Sequence, residues 1–300
     1  MTRSSTGAQD NPVDLGPKLV SAERALAAIQ AGSRIYIGTG CAAPRTLLAR
    51  LEAVEPGPAD LEFVSFLTTS ALPQVAGSPR TRYRHRTFFV GSEVRGLAGS
   101  GQLDYVPISL EEIPRLLTSG RLPIDVALLQ VSSPDARGFV SLGVSVDLAP
   151  AILSVARTVI AEINPAMPRT HGESMVHLTR FDALVRVDVP VAEYLHPNIG
   201  EIAERVARYI ASIIDDGSTL QIGLGRVPNE ALRHLRDRRD LGIHSDVITD
   251  GVVDLVEAGV VTGRCKTRYR DRIVASYCVG TRRLYDFVDD NPGVQLLPID

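Results

Sequence analysis

The run Ile243-His244-Ser245-Asp246 sets an imidazole, a hydroxyl and a carboxylate side by side, the three groups of a hydrolytic triad. Successive strand residues point to opposite faces, so the three cannot converge on one another, although His244 and Asp246, two apart, share a face. No serine sits in a G-x-S-x-G elbow, which argues against a serine hydrolase. A repeat singles out Asp246. Gly-Ser-Arg-Ile-Tyr-Ile-Gly-Thr-Gly at 32–40 matches Gly-Ser-Thr-Leu-Gln-Ile-Gly-Leu-Gly at 217–225, and Asp60-Leu61 through Ser65 matches Asp240-Leu241 through Ser245. In that register Phe66 of the first copy corresponds to Asp246 of the second. A carboxylate thus replaces an apolar ring at the end of an expected buried strand, and Asp246 is the candidate catalytic residue. The alternative reading is a turn or cap, since Thr249-Asp250-Gly251 follows at the start of a helix.

Each copy carries a glycine loop that could serve chemistry. Gly223-Leu-Gly225-Arg-Val-Pro228 leads from a strand into a helix, with a proline suited to the first turn. Its amides would lie beside the strand carrying Asp246 and suit an oxyanion in acyl chemistry. Gly38-Thr-Gly40-Cys-Ala-Ala43 fits a dinucleotide-binding pattern, with Glu62 about twenty residues on as a ribose-binding acid. Tight strand-to-helix turns need glycine for steric reasons as well, so both readings stand. The loop Asn164-Pro-Ala-Met167-Pro-Arg-Thr-His171-Gly172 leaves the carboxyl end of a strand, the edge where open α/β folds bind ligands. His171 and His177 are six apart without a third ligand, which speaks against a metal. The basic run Arg264–Arg272 could grip phosphates or be a solvated loop. The residues expected to line the site with Asp246 are therefore Gly223, Gly225, Pro228 and His244 from the second copy, and Gly40, Asn164 and Met167 from the first.

The elements that must hold these residues alternate. Val20–Ile29, Arg45–Leu51, Leu110–Leu117 and Leu148–Val155 read as helices; Arg34–Ile37, Leu61–Leu67, Phe88–Val90, Val126–Val131 and Val159–Ile163 read as strands. Such alternation implies an α/β fold with a parallel sheet covered on both faces. Beyond a proline-bearing boundary at Val189–Gly200 come helices at Ile202–Ile214, Asn229–Leu235, Val252–Glu257 and Arg282–Val288. Strands are expected there at Leu220–Ile222, Ile243–Ile248, Ile273–Val279 and Val294–Leu297. The division expected is a disordered tail over 1–17, one domain over 18–195 and a second, incomplete one over 196–300. The sequence stops well before the second copy matches the first in length, so the expectation is that either a smaller arrangement closes the second sheet or another chain covers apolar strands such as Ile273–Val279.

A hydrophobic content of 44% is ample for a packed core, and a net charge of −3 gives no footprint for nucleic acid or an acidic membrane. The polar first seventeen residues are not a secretory signal, and no run is long enough to span a bilayer. Cys41, Cys265 and Cys278 are odd in number and show no paired spacing, which suits a reduced cytoplasm and suggests neither disulfide nor zinc.

Several long motifs together resemble the acetyl-CoA hydrolase/transferase family, with 4-hydroxybutyrate CoA-transferases the nearest kind. They are Gly38–Leu47, Val131–Asp147, Glu162–Gly172, Gly242–Gly259 and Thr281–Pro292. The resemblance covers nearly everything after residue 17. It implies two tandem CoA-transferase-like α/β domains and a ping-pong exchange of CoA between an acyl-CoA and a small carboxylate. The family's nucleophile is a glutamate that forms an acyl anhydride and then a glutamyl-CoA thioester; the corresponding position here is Asp246. Its oxygens sit roughly 1.5 Å further back, and a displacement of about 1 Å can cost on the order of 100-fold in rate. An acyl-CoA hydrolase in which Asp246 activates water, and a non-catalytic binding or scaffold subunit, are the alternatives. Family members continue past the equivalent of Asp300, and the glycine-rich loop that contacts CoA lies in that part. The resemblance thus implies CoA as substrate, no metal, an oligomer, and a companion chain supplying the C-terminal half.

Overall fold

The computed structural model describes residues 15–54, 57–68, 83–195 and 200–299. Most of the expected tail lies outside them; within it, Leu15 is buried and Gly16–Lys18 form a 3-10 turn. Residues 196–199 of the expected boundary also lie outside.

The first half is built on β1 (Arg34–Ile37), β2 (Leu61–Ser65), β3 (Tyr83–Thr87), β4 (Leu103–Tyr105), β5 (Val126–Val131), a short β6 (Phe139–Ser141), β7 (Thr158–Ile163), β8 (Met175–His177) and β9 (Ala183–Arg186). Seven of these form one wholly parallel sheet in the order β4-β3-β2-β1-β5-β7-β9. Strands inside such a sheet are buried on both faces, which is why β5 is apolar at every position but Gln130 and is buried throughout. Side chains alternate between two cores: Tyr36 and Val64 face one, Ile35, Ile37 and Phe63 the other. The helices α1 (Ala22–Leu26), α2 (Arg45–Ala53), α3 (Ser92–Arg95), α4 (Ile113–Thr118) and α5 (Ala149–Val155) accompany it. The strand expected at Phe88–Val90 lies instead at Tyr83–Thr87, where Tyr83, His85 and Thr87 are buried and Arg84 and Arg86 point outward.

The second half contains α6 (Glu201–Ser212), β10 (Thr219–Leu220), α7 (Arg226–Arg233), β11 (Gly242–Ile243), β12 (Val247–Ile248), α8 (Asp250–Glu257), β13 (Ile273–Ala275), β14 (Tyr277–Cys278), α9 (Arg282–Val288) and β15 (Val294–Leu296). Its strands also pair in parallel: β10 with β11, β12 with β14, β13 with β15, and His244 bridges Val274. Two expected strands are each broken, at 244–246 and at Ser276. At Ser276 a segment from the first half intervenes: Val146 N and Asp147 N both donate to the Ser276 carbonyl, and Ser145 bridges Tyr277. That segment also corrects the expectation of uncovered strands, because Ile273–Val279 is buried throughout. One hydrophobic core runs continuously through both halves.

The repeat extends to backbone conformation. Gly32 and Gly217 both adopt the left-handed region (φ 78° and 77°), as do Asp60 and Asp240 (φ 56° and 53°). Gly32 N donates to Ala59 O and Gly217 N to Arg239 O, in each case the residue before that aspartate. The registers agree too: Arg34 opposes Glu62 as Thr219 opposes Gly242.

Candidate active site

The carboxyl ends of both strand sets meet around a cavity of about 320 Å³. Phe66 and Leu67 enter it just beyond β2, Phe88 and Phe89 beyond β3, and Tyr105 from the end of β4. Ile108, Leu110 and Ile113, at the entry to α4, complete the first-half wall. Leu224, Asp246 and Tyr277 close it from the second half. The two positions that the repeat equates, Phe66 and Asp246, thus face one cavity. The Phe66 ring meets Tyr277 edge-on at 5.8 Å and 82°.

Asp246 stands at the break in its strand. Ser276 N and Tyr277 N both donate to its carbonyl, at 2.9 and 3.0 Å, which fixes the backbone. Its Oδ1 accepts from Gln221 Nε2 at 3.0 Å and from Ser245 Oγ at 3.3 Å, and no hydrogen bond among the described residues falls on Oδ2. The side chain caps no helix; α8 starts from Thr249, and it is Asp250 that accepts from the Thr281 amide and hydroxyl. Burial and the Asp246 charge together push the Tyr277 phenol far above its ordinary value, so it stays a neutral donor.

The loop Gly223–Gly225 leaves β10 beside this carboxylate. Ser245 anchors it, its hydroxyl accepting from Ile222 N at 2.9 Å and sharing its one proton between Ile222 O at 2.9 Å and Asp246 Oδ1. Leu224 turns into the cavity, and among the described residues no hydrogen bond takes the amides of 223, 224 or 225. Pro228 packs against both glycines, at 3.8 Å and 3.5 Å from where their Cβ atoms would stand.

The other expected lining residues are placed differently. Gly40 lies behind the wall, donating to Leu67 O at 2.7 Å. His244 is exposed and meets Tyr269 edge-on at 5.9 Å; burial and the charges of Lys266 and Arg268 lower its pKa. Asn164 is fully buried, donating to Val189 O and Gln130 Oε1. Met167 packs where a side chain on Gly143 would stand. The whole loop 164–172 is a brace: Arg169 N donates to Asp289, its guanidinium pairs with Asp135 at 2.8 Å, and His171 reaches Asp290 at 2.9 Å. Neither dinucleotide feature is free, since Glu62 pairs with Arg34 and Arg86. In the basic run, Lys266 is buried and donates to Ile243 O and Arg272 O. Among the described residues no cluster of three or more His, Cys, Asp or Glu is arranged for a metal, and no helix is long and apolar enough to cross a membrane. The apolar wall around 105–113 carried no motif; its only signal was a run of apolar residues after a strand end.

Residues 7–198 match the acetyl-CoA hydrolase/transferase N-terminal domain. The chain is 38% identical over 283 residues to a 4-hydroxybutyrate coenzyme A transferase of Clostridium kluyveri, covering 94% of this chain and 66% of that protein. It is 35% identical to a succinyl-CoA:cyclohexane-1-carboxylate CoA transferase of Geobacter metallireducens, covering 71% of this chain and 48% of that one. The crystal structure of RipA from Yersinia pestis superposes with a TM-score of 0.86 at 33% identity, over 94% of this chain and 68% of that chain. The chain therefore spans about two thirds or less of the curated relatives' length.

Proposed function

This chain belongs to the acetyl-CoA hydrolase/transferase family, and from that premise we propose that it exchanges CoA between an acyl-CoA and a small carboxylate, with Asp246 as nucleophile. The observation that carries the reading is a carboxylate with an unengaged oxygen beside free loop amides at one end of an apolar cavity. Oδ2 attacks the thioester carbonyl and expels CoA thiolate, giving an acyl–aspartyl anhydride. The amides of Gly223 and Gly225 receive the developing oxyanion. The thiolate then attacks the aspartyl carbonyl, releasing the first carboxylate and leaving an aspartyl-CoA thioester. The acceptor carboxylate reverses both steps. Gln221 and Ser245, both on Oδ1, hold the side chain so that its shorter reach is spent in one direction.

The same reading includes a companion chain that adds a parallel strand beside β10. In support, β1 is paired on both sides whereas β10 pairs only with β11 among the described residues.

The test is the Asp246 series, assayed with the complex purified from its own cells. Asp246→Asn is expected to lower CoA transfer on the order of 1,000-fold or more. Asp246→Glu, which restores the family's longer side chain, is expected to stay within about 100-fold of wild type. A CoA-sized adduct should be trapped on the peptide carrying Asp246 and not on the asparagine variant. Unchanged transfer in Asp246→Asn would overturn the assignment, and acid release without acceptor would mark a hydrolase.

A further inference from the structure

We propose that the cavity beside Asp246 is built for a hydrocarbon acyl group longer than acetyl, of about six carbons, and rejects acyl groups that end in a charge. This rests on the reading of Asp246 as nucleophile and names the substrate class at that site. Among the described residues, eleven line the cavity; eight are Phe, Leu or Ile, and Tyr105, Asp246 and Tyr277 are the three with polar side chains. No Arg, Lys or His is among them. Two cations of the neighbouring strands and loops are engaged by protein groups, Lys266 buried on two backbone carbonyls and Arg86 paired with Glu62 and Asp104.

The chemistry follows from where the single charge stands. A thioester carbonyl placed for attack by Asp246 sends its acyl chain along the apolar wall of Phe66, Phe88 and Leu110. A second carboxylate at the chain's end would lose its water without gaining a cation, in a cavity that already holds one carboxylate. A terminal hydroxyl meets a milder version of the same problem. Tyr277 stands beside the nucleophile, which leaves the half-exposed Tyr105 as the one lining hydroxyl at the other end among the described residues. A methylene loses nothing, and each one buried should raise kcat/KM about fourfold. The volume of about 320 Å³ lies at the lower end of ligand pockets and has room for a six-carbon chain or ring.

The experiment is a kcat/KM series on the purified complex with acetyl-, butyryl-, hexanoyl-, cyclohexanecarbonyl- and succinyl-CoA, with propionate as common acceptor and propionyl-CoA formation as the readout. Turnover is expected to climb from acetyl to hexanoyl, with succinyl at least about 100-fold below hexanoyl. Ile108→Arg, at a half-buried wall position, should narrow or invert that gap by placing a cation in the wall. A flat series, or succinyl preferred by the wild type, overturns this proposal while leaving CoA transfer intact. If no thioester turns over, the transfer reading has failed and the cavity is read separately, by ligand-observed NMR with free hexanoate and succinate. Hexanoate binding that is lost in Phe89→Ala upholds the apolar pocket; equal response to both acids overturns it.

Discussion

Glu162 lies at the end of β7 with no solvent exposure, yet its carboxylate holds the first turn of α2, accepting from Leu47 N at 2.6 Å and from Thr46 N. Gln130 Nε2 adds a third contact at 3.4 Å. A helix N-terminus after a glycine loop is where a nucleotide phosphate would sit, so in the first copy an internal acid fills that role. Burial outweighs those donors and pushes the Glu162 carboxyl up from 4.5 to about 7. The folded chain therefore keeps a proton that the unfolded chain, titrating near 4.5, has released. The linked stability is fully present below that pH and is lost as pH rises through about 7, a loss of roughly 3 kcal/mol. Glu162→Gln keeps an acceptor and removes the titration. Urea midpoints of wild type and Glu162→Gln should agree within error near pH 4.5 and diverge by pH 8, the variant becoming the more stable. A gap that is the same at both pH values would show that Glu162 is ionised throughout. The plugged first loop and the open second one explain at residue scale why chemistry is placed on only one copy of the repeat.

Among elements, β15 shows how the two halves are fastened. Its outer edge is taken by the loop after β7: Leu296 N donates to His171 O, and Glu173 N to Leu296 O. Gly172 makes the approach possible, because a Cβ there would stand 2.3 Å from Leu296 O and its φ is 103°. Gly32 has a similar left-handed φ with nothing within 4 Å of its Cβ position. Gly32→Ala should thus cost about 1 kcal/mol from backbone strain alone. Gly172→Ala should cost about 2 kcal/mol more, since two backbones must separate. Chemical unfolding of the two variants measures the difference, and equal losses would mean that the brace yields freely. The sequence showed this loop as a motif but not as a brace, because its partners Asp289, Asp290 and Leu296 lie over a hundred residues away. What was legible is what local pattern dictates: β1, β5 and α9 fall on their expected bounds, since continuous or helix-period apolar spacing marks buried elements. The strand β3 was hidden because Arg84 and Arg86 interrupt the apolar signal, and the antiparallel pair β6 with β8 because its strands are short and half polar. Of the site, Asp246 and the Gly223–Gly225 loop could be found through the repeat. The wall from Phe88 to Ile113 is assembled by sheet order, which no local spacing records.

At the scale of the whole molecule, the same repeat identifies the surface that lacks a neighbour. In the first half α1 contacts β9, and Ala25, Leu26 and Ile29 are buried in one cluster with Val185 and Val187. In the second half α6 likewise precedes the opening strand, but Ile202, Tyr209 and Ile213 are 80%, 69% and 79% exposed, with Val206 and Ile210 also open. At 100° per residue these five fall within an arc of roughly 100°, one continuous apolar stripe. The helix precedes β10, whose second edge, unpaired among the described residues, corresponds to the edge of β1 that β5 occupies. An exposed apolar stripe is a surface that recruits a partner. The companion chain proposed above is expected to bring a strand parallel to β10 and helices over α6, as β5 and β9 do for the first copy. Native mass spectrometry of the protein from its own cells should then find a second, different chain at fixed stoichiometry. The double variant Ile202→Glu/Ile213→Glu should lose that chain, while its own unfolding midpoint shifts by no more than about 0.5 kcal/mol, both sites being solvent-facing. A lone chain, or a homo-oligomer indifferent to the two glutamates, would refute the companion. It would also mean that α6 keeps its stripe exposed for a reason unrelated to completing the second sheet.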